Sequence, residues 1–221
     1  MKKFKLLDLY CKAGGAGMGY FLAGFEVTGI DIQPQPNYPF RFIQYDAVAY
    51  LVRYGHLYDA IHASPPCQFA SRATAPHRAK NKEYFNLIPK TRAVLDKCGK
   101  PYVIENVRGA GLRPDIILSG PMFNLKVIRV RHFETGYWMM LQQPIIKPVG
   151  TVVAGDYCSV FGKCSSDRAP NRFGKKTISE AWLYAMGIDW PMKESEIAQA
   201  IPPAYTRYIG TQLINYLKQK Q

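Results

Sequence analysis

Short apolar runs and longer amphipathic stretches take turns along the first 135 residues of the chain. Residues 4–9, 27–30, 41–44, 59–63, 102–105, 116–118 and 127–133 are rich in β-branched, aromatic and leucine side chains, and they predict strands. Residues 17–24, 47–54 and 83–97 predict helices, the last bent or split at Pro89. Strand and helix alternating at this spacing predict an α/β fold with a mostly parallel, doubly wound sheet. The pattern then lapses. Residues 136–176 are rich in Gly, Pro, Ser, Cys and Arg and show no helical period, which predicts an irregular lobe. Order returns at Thr177-Ile-Ser-Glu180, a capping-box pattern opening a helix that Gly187 would close. A last helix is predicted over residues 204–218, after Pro202-Pro203. The expected organisation is a catalytic unit at 1–135, a small lobe at 136–176 and helices at 177–221 that pack back on the first unit.

Composition narrows the class. Of 221 residues, 48% are hydrophobic and 20% charged, an ordinary globular balance. No apolar run reaches membrane-spanning length, and residues 1–9 are too short and too charged for a signal peptide, so a cytoplasmic protein without a membrane partner is expected. Five cysteines, odd in number and without dense pairing, fit reduced thiols better than a disulfide framework. Cys158 and Cys164 have no second pair in zinc-like register, so no metal is expected. Lys and Arg total 29 against 16 Asp and Glu, a net charge of +13, which suits a polyanionic partner such as nucleic acid.

Four motifs carry chemistry. Asp8-Leu-Tyr-Cys-Lys-Ala-Gly-Gly15 follows the first strand and continues into Gly17 and Gly19, where glycines let the backbone turn tightly against a ligand at a helix N-terminus. Asp31, at the end of the next strand, suits a ribose hydroxyl. The alternative for this loop is a tight turn and nothing more. Ser64-Pro-Pro-Cys-Gln68 follows the strand at 59–63, and its two prolines hold the Cys67 thiol at the C-terminal edge of the sheet; the alternative is a buried structural cysteine. Glu105-Asn-Val107 ends another strand with a carboxylate able to exchange a proton with a heterocycle, or simply to face solvent. Arg129-Val-Arg131 places two arginines at alternate positions, on one face if the segment is a strand.

In this order the segments resemble the cytosine-C5 DNA methyltransferases. The first loop is similar to their Asp-Leu-Phe-Cys-Gly-Ala-Gly-Gly, Pro65-Pro-Cys-Gln68 to their nucleophile loop, and Glu105-Asn-Val107 to their cytosine-binding element. Arg129-Val-Arg131 resembles their Gln-x-Arg-x-Arg strand, and Ile197-Ala-Gln-Ala-Ile-Pro-Pro203 their late Ile-Gly-Asn-Ala-Val-Pro-Pro element. The match covers residues 4–135 and 178–217, and the short chain and Arg131-His-Phe-Glu134 look most like compact members encoded by bacteriophages.

The resemblance implies a Rossmann-like class I methyltransferase fold, S-adenosylmethionine as donor and base flipping of a cytosine in double-stranded DNA by a monomer. It implies Cys67 as nucleophile, with Glu105, Arg129 and Arg131 completing the catalytic set. Asp8, Tyr10, Cys11, Lys12, Ala13, Gly14, Gly15, Asp31, Ile32, Asp46, Ala47, Pro65, Gln199 and Ala200 would contact the donor. Gln68, Ser71, Arg72 and Arg78 would close on phosphates, and Arg168 or Arg172 would read guanine from the lobe. RNA or free-nucleotide methylation, and a non-catalytic nucleic-acid-binding relative, are the alternatives. Lys12 stands where the family has Gly, Val127 where it has Gln, Ala198 where it has Gly, and Gln199 where it has Asn. The Lys12 cation could face solvent or DNA, pair with the donor's methionine carboxylate, or accept a carboxylated donor such as carboxy-S-adenosylmethionine.

Overall fold

The computed structural model describes residues 3–66, 86–161 and 173–220. Among these residues seven strands form one sheet: β1 Lys5–Leu9, β2 Glu26–Asp31, β3 Arg41–Gln44, β4 Ala60–Ala63, β5 Tyr102–Asn106, β6 Ile116–Leu118 and β7 Arg131–Gly136. Their order is β3-β2-β1-β4-β5-β7-β6. The first five run parallel; β7 lies antiparallel between β5 and β6. Nearly continuous burial through β1, β4 and β5 is what a central strand covered on both faces shows.

Alternate residues of each strand feed opposite layers. Leu6, Val27, Val103 and Phe133 pack with helices α1 Gly15–Ala23 and α6 Pro203–Gln219, through Tyr20, Tyr205, Ile209 and Leu213. Leu7, Leu9, Ile30, Ile61 and Ile104 pack on the other face with α2 Ala47–Tyr54 and α3 Ile88–Cys98. A third cluster gathers Trp182, Ala185 and Met186 of α4 Ile178–Met186 with Val127, Cys158, Val160 and Ile197, the last on the short α5 Glu194–Ile197.

The order reverses between β1 and β4, since the chain builds outward from β1 to β3 and then returns to lay β4 on the other side. Doubly wound sheets bind ligands at such a crevice, outside the carboxyl ends of the strands. Asp31, Ser64 and Glu105 therefore share one edge with the turn after Leu9.

Three expectations need correction. The strand predicted at 127–133 begins only at Arg131 and runs on to Gly136. Residues before it are claimed elsewhere: the Ile128 carbonyl accepts from Gly120, the Lys126 carbonyl accepts from Cys158, and Arg129 adopts φ 34° in the left-handed region. Arg129 and Arg131 thus do not alternate along one strand. The helix predicted from 83 starts, among the described residues, at Ile88, and Pro89 occupies its first turn, where the missing N–H costs nothing. The short helix at 194–197 was not foreseen. Thr177 does cap α4, accepting from Glu180 N at 3.2 Å, and Gly187 ends it at φ 66°. Between Tyr137 and Phe161 the described chain has no helix or strand, only a single bridge from Val127 to Cys158. No helix among the described residues is long and apolar enough to cross a membrane.

Candidate active site

The edge divides into two halves. On the first, β1 leads into a turn in which Tyr10 and Lys12 take φ 59° and 47°, and Gly14 takes φ 89°. Asp8 is buried beneath this turn, accepting from the Tyr38 hydroxyl at 3.1 Å and from the Gly17 backbone. It thereby caps the first turn of α1, which has no side-chain cap of its own. Burial pushes the Asp8 carboxyl up to about 7, against the hydrogen bond from Tyr38. Burial also raises the Cys11 thiol, with Asp8 and Asp31 adding to it, so Cys11 is no thiolate.

Asp31 is buried at the end of β2 and accepts from the Lys12 and Gln33 backbones at 3.2 and 3.0 Å. The Lys12 ammonium lies 3.4 Å from the same carboxylate. This is a destination that none of the three readings of Lys12 foresaw: the cation offsets Asp31. Ile32 beside it is exposed, and Asp46 is exposed while accepting from Ala49 N at the cap of α2. Tyr10 donates to or accepts from Thr91 at 2.9 Å, and Asp46 raises its phenol, after burial, above the ordinary value. An apolar face flanked by two carboxylates fits a nucleoside: Asp31 retains lone pairs for ribose hydroxyls, Asp46 suits an exocyclic amine, and Ile32 suits a base face.

The far end of the chain closes this half. Trp190 donates to the Ala13 carbonyl at 3.1 Å. A Cβ on Gly15 would meet the Ile201 backbone at 2.5 Å, and one on Gly19 the Pro203 carbonyl at 2.2 Å, so both positions need glycine for close approach. Ala200 is buried against Gly15, whereas Gln199 folds back on the Ser195 carbonyl at 3.1 Å. Ala47 is buried in the layer behind the edge.

On the second half, Glu105 is buried at the end of β5 and paired with Arg131 of β7, Nε to Oε1 at 2.9 Å. Burial raises its carboxyl above the usual range, although Arg131, a hydrogen bond from Ser64, and Arg129 all act to lower it. Arg129 itself donates to the Val160 and Ala198 carbonyls at 2.9 and 2.8 Å, tying the irregular segment to the Ile197–Pro203 stretch. Asn106 donates to the Pro65 carbonyl at 2.9 Å, so β5 clamps the turn that leads to Cys67. One residue that the sequence reading passed over completes this half. His62 of β4 is fully buried, with Nδ1 at 3.0 Å from the Tyr20 hydroxyl and Nε2 at 2.9 Å from Ser64 Oγ. Burial pushes its imidazole down to about 3, so it is neutral. A histidine inside an apolar run was the one available signal; Tyr20 and Tyr38 left none. Cys67, Gln68, Ser71, Arg72, Arg78, Arg168 and Arg172 lie outside the described residues. Among the described residues no three His, Cys, Asp or Glu side chains gather as metal ligands would.

The strand order, with its antiparallel seventh strand, defines the Rossmann-like class I methyltransferase fold. Solved structures share it over nearly the whole chain. A candidate DNA modification methyltransferase encoded within an E. coli prophage is 14% identical, with TM-score 0.62, covering 98% of this chain and 100% of that one. The Dnmt2 methyltransferase of S. pombe is 16% identical, with TM-score 0.61 and 98% and 99% covered. The Entamoeba histolytica methyltransferase EhMeth is 12% identical, with TM-score 0.53 and 100% and 99% covered. No protein-family model and no curated protein matches the chain.

Proposed function

We propose that the chain is a DNA cytosine-C5 methyltransferase of the compact bacteriophage type, working on a cytosine swung out of double-stranded DNA. The observation that carries this reading is the pairing of Glu105 with Arg131 beside the clamped Ser64-Pro65-Pro66 turn, which continues directly into Cys67. A nucleic-acid binder without chemistry has no use for a buried, raised carboxyl beside a clamped turn whose sequence continues into a cysteine. S-adenosylmethionine, which the glycine turn, Asp31 and Ile32 would hold, would supply an electrophilic methyl group and leave as S-adenosylhomocysteine. The Cys67 thiolate adds to C6 of the cytosine, and Glu105 holds or protonates N3, so the electron pair displaced from the 5,6 double bond makes C5 nucleophilic. Once C5 carries the methyl group, loss of its proton to a base restores the double bond and expels Cys67 as thiolate. Arg131 keeps Glu105 aimed at the base. The +13 charge and the basic segments at 68–80 and 162–172 serve the phosphates, and the small lobe at 136–176 reads a short site.

The test is covalent capture. Duplex DNA containing 5-fluorocytosine, given S-adenosylmethionine, forms an SDS-stable adduct with the wild type and none with Cys67→Ser. Methylation of DNA retained by Cys67→Ser overturns the mechanism. Methylation of transfer RNA or dCMP in place of DNA moves the same chemistry to another substrate.

A further inference from the structure

Glu105 is met by Arg131 and Ser64, with Arg129, Tyr205 and Tyr20 near enough to act on it or be acted on through charge. Arg131 is a fixed donor. Ser64 is not, since a hydroxyl rotates and can donate to whichever acceptor is free. What lies behind Ser64 decides the matter. Its oxygen touches His62 Nε2, and His62 Nδ1 touches the Tyr20 hydroxyl, all in the layer between β4 and α1. His62 is neutral and desolvated, so one of its nitrogens donates and the other accepts.

The ends of the chain fix its direction. With Glu105 ionised, its carboxylate only accepts, so Ser64 donates to it. Ser64 Oγ then accepts from His62 Nε2–H, and Nδ1 accepts from the Tyr20 O–H. Each hydrogen has one place to go. Among the charged groups nearby, Asp8 acts on Tyr20 through charge but does not shift His62, whose titration is governed by burial alone.

We propose that Tyr20, His62 and Ser64 form a hydrogen-bond relay that, while Glu105 is ionised, holds Ser64 as its donor. His62 and Tyr20 are positioning residues: they touch no reacting atom and act through Ser64. The relay leaves the proton that Glu105 exchanges with the cytosine to enter and leave on the substrate side. It deepens the proposed cytosine chemistry and rests on that reading for its purpose, though not for its existence.

Two measurements test it. Nitrogen-15 histidine spectra of the free protein, assigned by loss of the His62 signal in His62→Phe, read the tautomer without substrate. His62 is expected as the neutral Nε2–H form at pH 6 to 8. An Nδ1–H tautomer, or an imidazolium near pH 6, overturns the relay. The second arm is the pH profile of kcat for methylation of duplex DNA. Ser64→Ala shifts the limb that reports Glu105 upward by about half a pH unit or more, because a donor to the ionised form is lost. The KM for S-adenosylmethionine stays as in the wild type, and Ser64→Thr, which keeps the hydroxyl, returns the limb. A Ser64→Ala profile superimposed on the wild type overturns the proposal. If the wild type methylates no DNA, the proposed function fails while the tautomer still judges the relay; DNA methylation with an Nδ1–H histidine sinks the relay alone.

Discussion

The two halves of the crevice each bury a carboxyl, and they treat it differently. Asp8 lies under the glycine turn with only neutral partners, the Tyr38 hydroxyl and the Gly17 backbone, and burial carries it up to about 7. Glu105 lies at the end of β5 with a guanidinium at 2.9 Å and a hydroxyl held in place behind it. The first is a structural acid, set to cap a helix and support a turn, and a proton suits it as well as a charge. The second is poised, with burial and Arg131 pulling its titration in opposite directions. Equal burial does not make equal roles; the partner decides.

The contrast can be broken most forcefully at Arg131. Arg131→Met leaves Glu105 buried without its ion partner, which is expected to cost about 3–5 kcal/mol at pH 8. The loss should shrink at pH 5, where Glu105 takes up a proton instead, and denaturant unfolding at the two pH values measures both. An equal loss at the two would mean that Glu105 carries no charge at pH 8.

Asp8 and His62 are expected to tilt the stability profile in opposite senses, each by a few kcal/mol at most. Asp8 has its pKa raised in the fold from 3.8 to about 7, so its contribution is complete below pH 4 and fades as pH rises toward 7. His62 has its pKa lowered from 6.5 to about 3, so its contribution is complete above pH 6.5 and fades as pH falls toward 3. In the wild type the two largely cancel between pH 4 and 6.5. Asp8→Asn should make stability rise with pH across that window, and His62→Phe should make it fall. Unfolding midpoints measured at half-unit steps of pH check the two slopes; parallel slopes would contradict the assignment.

Gly19→Ala drives a Cβ into the Pro203 carbonyl and the Thr206 hydroxyl, so α6 must shift, with an expected loss of about 1–3 kcal/mol in thermal or denaturant unfolding. Lys12→Gly should move stability least. The half-exposed ion pair is worth under about 1 kcal/mol, and glycine at φ 47° relieves a backbone that Lys12 strains. Its informative readout is the donor: an unchanged KM for S-adenosylmethionine fits a lysine committed to Asp31, whereas selective loss of a carboxylated donor would return Lys12 to the role of donor ligand.

Local signals were the legible ones. Residues 47–54 and 116–118 fold as their patterns predict, because side-chain period and buried face agree there, and 41–44 pairs as a strand beside β2. Thr177 and Gly187 bound α4 because capping is settled within one turn. The segment before Arg131 misled, since an apolar, β-rich run was drawn off by Gly120 and Cys158, partners that only the folded chain supplies. For the same reason Tyr38, brought from the loop after β2 to rest on Gly14, Gly17 and Gly29, left no trace in the pattern. The motif residues Asp31, Glu105 and Arg131 were legible as chemistry, and Lys12 as a cation without its partner, but Ser64 and His62 were legible only as parts of a turn and a strand.

The glycine turn near the start of the chain and the stretch from Trp190 to Thr206 are locked together: Trp190 to Ala13, Ile201 against Gly15, and Thr206 donating to the Ala16 carbonyl at 2.8 Å. Partners separated by 190 positions impose an order of events on the ribosome. While β1 to β5 are being made, α1 has no α6 to cover Tyr20 and Gly19, and the turn has no lid. The first half of the crevice can therefore reach its final form only after residue 206 has left the exit tunnel, a slow, non-local closure. A nascent chain stalled before that point should expose the α1 face to chaperones, and synthesis itself thus withholds a finished crevice until nearly all of this sequence is present.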